Sequence, residues 1–74
     1  MSESMTDWNE RIAAELETLA NAFKAKRKEY LSLLEKEPNG PDAEVSASAA
    51  GAWSDAEYRL RARVAELRAA AQNA

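Results

Sequence analysis

A chain of 74 residues with 13 acidic and 10 basic side chains, net charge −3, has room for one small domain. It contains no cysteine and no histidine, which removes disulfides, thiol chemistry, the commonest general base and the commonest transition-metal ligand. The acidic balance argues against nucleic-acid binding, which draws affinity from clustered cations, and no apolar run reaches the length of a membrane span.

The opening MSESMTDWNE is acidic and lacks the apolar core of a signal peptide, so a cytoplasmic location is expected. The chain then turns rich in Ala, Leu, Glu, Arg and Lys, all good helix formers. A first helix is predicted over about residues 7–36, with Ser4 or Thr6 as its cap and Asp7 near its positive end. Trp8, Ile12, Leu16, Leu19, Phe23, Tyr30 and Leu33 or Leu34 recur at helical spacing and are expected to form the seam. The other side carries Glu10, Glu17, Asn21, Lys28, Ser32 and Glu35, so no second apolar face is expected on this helix.

Within that helix, FKAKRKEY sets Lys24, Lys26, Arg27 and Lys28 between two aromatic residues. Lys24 and Lys28 are expected in solvent. Lys26 and Arg27 are expected to flank the seam where it skips a layer, with Trp53 opposite, covering their stems in a cation–π contact. The alternative is an anion or partner site built from Lys24, Lys26, Arg27, Lys28 and Trp53. No glycine-rich loop accompanies it.

EPNGPD, residues 37–42, holds both prolines and one of the two glycines, a cluster that stops a helix and turns the chain. Beyond it, Ser54-Asp55-Ala56-Glu57 matches a capping box and would start a helix there. Phase favours one longer helix over about 42–72, because Val45, Ala49, Trp53, Ala56, Leu60, Val64, Leu67 and Ala71 share one stripe. Folding the chain about residue 39 or 40 pairs residues whose numbers sum to about 79. Phe23 then meets Ala56, Tyr30 meets Ala49, Leu19 meets Leu60, Ile12 meets Leu67 and Trp8 meets Ala71.

Opposite its seam the second helix carries Ala47, Gly51, Tyr58, Ala62, Ala65 and Ala69 at helical spacing. Small residues in a row allow close approach, with Tyr58 as an amphipathic anchor, so this face is the predicted partner or dimer interface. A domain this small gains stability by oligomerising.

No nucleophile, base or metal motif is present, so an enzyme is not expected, nor a cofactor. The predicted fold is all-α: one antiparallel helical hairpin over 1–74, assembling as a homodimeric four-helix bundle. In architecture such a hairpin is similar to plasmid copy-control hairpins, secretion-system co-chaperones and small phage proteins that disable host factors. The turn EPNGPD departs from the tryptophan-x-glycine turn of the secreted WXG hairpins. The expected function is protein binding, as a small adaptor or inhibitor of phage or mobile-element type. The alternatives are an anionic-ligand or nucleic-acid binder using residues 24–28, and a purely structural dimerisation module.

Overall fold

A computed structural model describes residues 5–72 of the chain. It consists of two helices, α1 (Met5–Lys36) and α2 (Ala43–Gln72), packed along their length into a rod of 57 × 18 × 13 Å. The expected cap Ser4 lies outside the described residues, and Thr6 is already helical. The second helix runs unbroken through Gly51 and through the Ser54–Glu57 capping sequence. Tertiary packing keeps phase here, and the local start signal is overridden.

The turn is short because both ends are closed by backbone bonds. Glu37 N–H donates to Leu33 O (3.1 Å), ending α1, and Ser46 N–H donates to Asp42 O (2.9 Å), beginning α2. Between them, Gly40 N–H donates to Glu37 O and Ala43 N–H to Gly40 O, both at 3.2 Å. No described residue has positive φ, so Gly40 is not there for a left-handed backbone. It is there for closeness: a Cβ would fall 3.0 Å from Glu37 Oε2 and 3.1 Å from Glu37 Cβ.

Burial follows a strict alternation of three and four residues. In α1 the least exposed positions are Thr6, Asn9, Ala13, Leu16, Ala20, Phe23, Arg27, Tyr30 and Leu34. In α2 they are Ala43, Ser46, Ala50, Trp53, Glu57, Leu60, Val64, Leu67 and Ala71, with a few half-buried neighbours. A period of 3.5 is the seam of a left-handed coiled coil, here antiparallel. The two rows come level when residue numbers sum to about 80, which puts Ala13 beside Leu67 and Leu16 beside Val64. These four form one cluster. Phe23 and Trp53 meet edge to face, 4.9 Å between centroids at 63°.

This corrects the predicted seam of α1. The register stands within about one residue, but the helix is rotated about its axis. Trp8, Ile12, Leu19 and Leu33 stand 50, 38, 44 and 48% exposed, while Ala13 and Ala20 are fully buried. The stripe of largest side chains drifts across the surface, whereas the true seam is built around alanines. Small residues let the backbones approach, so the bulk of Leu67, Leu60 and Trp53 on α2 fills the space. The core is thin. Among the described residues its buried apolar members are Ala13, Ala20, Ala50, Val64 and Leu67, and no large side chain is completely buried.

Candidate interaction surface

The seam divides the rod into two edges of opposite chemistry. On one edge lie the residues following Asn9, Leu16, Phe23 and Tyr30, namely Glu10, Glu17, Lys24 and Leu31. In an antiparallel pair these sit beside the residues following Ser46, Trp53, Leu60 and Leu67, namely Ala47, Ser54, Arg61 and Arg68. The ion pairs agree. Arg68 Nε reaches Glu10 Oε1 (3.2 Å) and its Nη1 reaches Glu17 Oε2 (3.0 Å). Arg61 Nη2 donates to Asn21 Oδ1 at 3.2 Å. Hydrogen bonding and attraction from Arg68 hold the Glu17 carboxyl below its ordinary range, and Glu17 in turn raises Arg68.

A polar layer interrupts the seam near mid-rod. Arg27 Nη2 lies 3.3 Å from Glu57 Oε1, and Arg61 Nε lies 2.7 Å from Glu57 Oε2. The Glu57 side chain is only 12% exposed, and its carboxyl is held below the ordinary range by the Arg61 hydrogen bond first. Buried Arg27 Nε has no partner. A charged layer of this kind favours one register over slipped ones, since a slip would leave both charges unpaired.

The predicted basic site is therefore dispersed. Arg27 is in the seam. Lys26 is exposed and pairs with Glu29 on its own helix at 3.5 Å. Lys24 and Lys28 are exposed. Trp53 packs edge to face on Phe23. The cation found over an indole is Arg11, 5.4 Å from the Trp8 ring.

The other edge is apolar. The residues preceding Thr6, Ala13, Ala20, Arg27 and Leu34 are Met5, Ile12, Leu19, Lys26 and Leu33, and Trp8 sits between the first two. The facing row on α2 is Asp42, Ala49, Ala56, Arg63 and Ala70, flanked by Val45 and Ala52. Contrary to the sequence expectation, α1 thus carries a second apolar face, with Met5 72% exposed beside the residues already named, and Val45 of α2, 66% exposed, extends the edge. The signal that finds it is the seven-residue recurrence of Ala13 and Ala20, hidden when side chains are ranked by size.

The predicted face of α2 is exposed throughout: Ala47, Gly51, Ala62, Ala65, Ala69 and Tyr58, the last at 73%. A Cβ on Gly51 would meet nothing within 4 Å. Among the described residues, no cluster of three or more His, Cys, Asp or Glu could hold a metal ion, and no helix is long and apolar enough to cross a membrane. No known protein family, curated protein or solved structure matches the chain.

Proposed function

We propose that the chain is a non-enzymatic protein-interaction module, a small adaptor or inhibitor that assembles as a homodimeric four-helix bundle and covers a surface of a partner macromolecule. The observation that carries this is the row of large apolar side chains, Trp8, Ile12, Leu19 and Leu33, standing 38–50% exposed along one edge of a rod. Apolar residues aligned on one edge mark a binding surface more strongly than scattered ones. Pairing of Lys26 with Glu29 and of Arg27 with Glu57 weakens the rival reading of residues 24–28 as an anion site.

Native mass spectrometry of protein purified gently from its own cells tests the reading. A protein-sized mass bound to the chain is expected. An added mass of small-molecule size would overturn it in favour of the basic site.

A further inference from the structure

We propose that the apolar edge is a self-association surface whose occupant is a second copy of the chain, docked antiparallel across a two-fold axis. This rests on the reading of the chain as an interaction module and names its first partner. The bundle then closes edge to edge, not through the outer face of α2.

Area is the first support. The chain exposes 5527 Å², against about 4,500 Å² for a compact monomer of its 8.1 kDa mass. The surplus, about 1,000 Å², is close to the roughly 800 Å² that each partner buries in a standard-size interface. The elongation agrees: the radius of gyration is 16.8 Å, against about 11 Å for a compact domain of this length.

Shape is the second. The edge carries Trp8, Ile12 and Leu19 toward the open end of the hairpin, and Leu33 and Val45 with Ala49, Ala52 and Ala56 toward the turn. A copy related by a two-fold axis across the middle of the rod lays α1 over α1, residue numbers summing to about 41. Trp8 of one copy then meets Leu33 of the other and Leu19 meets Ala22, and the reverse holds by symmetry.

Charge is the third. Within the two helices this edge and its flank carry Glu15, Glu29 and Glu66 against Lys26, Lys36, Arg59 and Arg63, three acidic residues to four basic. Lys26 and Arg63 are already neutralised by Glu29 and Glu66 three residues on. An identical surface therefore meets no block of like charge. Toward the open end of the rod, the opposite edge is closed by Arg68 and Arg61.

Sedimentation equilibrium on the chain at tens of micromolar tests this. The wild type is expected at twice 8.1 kDa. Leu19→Glu should weaken the dimer at least about a hundredfold, because each interface would bury two new carboxylates, while Tyr58→Glu leaves the mass unchanged. Leu19→Glu could also unfold the hairpin, so a nitroxide on Ala22→Cys, in a chain with no native cysteine, gives a second readout. Dipolar broadening between copies is expected at position 22 and not at Ala62→Cys. A monomeric wild type, a dimer broken by Tyr58→Glu but not by Leu19→Glu, or an unbroadened label at 22 in a dimer would each overturn the proposal. A monomer that still carries a foreign protein overturns the edge alone. A dimer with no foreign partner overturns the wider reading alone.

Discussion

Arg68 and Glu17, on different helices, meet as a two-pronged pair, with Nη1 3.0 Å from Oε2 and Nη2 3.5 Å from Oε1. Within α2, Arg61 Nε donates a single short bond to Glu57 Oε2 at 2.7 Å. Both carboxyls are held below their ordinary range, so each binds a proton less readily folded than unfolded. Their stabilisation is complete above the ordinary glutamate value of about 4.3 and is lost as pH falls through the lower folded values. The melting temperature should be flat near neutrality and fall on acidification below about pH 4. Circular dichroism of the wild type beside Glu17→Gln and Glu57→Gln checks this, since each variant should show a shallower acid slope. An unchanged slope in both would remove the carboxyls from the account.

Position 27 and position 26 should respond differently to the same charge reversal. Arg27→Glu sets a second carboxylate against Glu57 in the seam, and a marked loss of helicity and melting temperature is expected. Lys26→Glu disturbs an exposed pair with Glu29 and, measured at high dilution, should stay within about 0.5 kcal/mol of wild type. Equal effects of the two in a thermal melt would contradict the placement of Arg27 in the polar layer.

The core and the apolar edge differ in what truncation costs a single hairpin. Leu67, 8% exposed within the Ala13–Val64–Leu67 cluster, should lose about 2–4 kcal/mol as Leu67→Ala. Leu33, 48% exposed, should lose under about 1 kcal/mol as Leu33→Ala when measured at high dilution. Urea melts at low protein concentration give both values, and a larger loss at Leu33 would mean the seam has been misplaced.

Gly51 offers a gain. It lies inside α2, and a Cβ there would touch nothing within the hairpin. Gly51→Ala should stabilise by about 0.4–1 kcal/mol, through helix propensity and a less disordered unfolded chain. Destabilisation would indicate that another backbone approaches this position closely in the assembled protein.

The two helices, their junction at 37–42 and the near-80 register were legible because breakers and length decide them almost alone. The rotation of α1 was not. Ranking residues by size placed Trp8, Ile12 and Leu19 in the seam, whereas burial goes to Ala13 and Ala20. The period of 3.5 is seen only when alanine, asparagine and arginine are allowed as seam residues. Arg27 was read as flanking the seam for the same reason: a cation was assumed to snorkel, and the carboxylate able to hold it, Glu57, lies 30 positions away. The exposed row on α2 was placed correctly in space, with all six members at the surface.

The hairpin brings residues 5 and 72 to one end of the rod and the turn to the other. Tension applied between residues 5 and 72 would load the seam one layer at a time, beginning beside Asn9 and Ala71 and passing the Ala13–Leu67 cluster on the way toward Gly40. Tension between residue 5 and the turn would instead run along α1 itself, with the seam to α2 resisting its extension. The same contacts therefore make a zipper in one direction of pull and a strut in the other, with the Arg27–Glu57 layer as the point where peeling should pause.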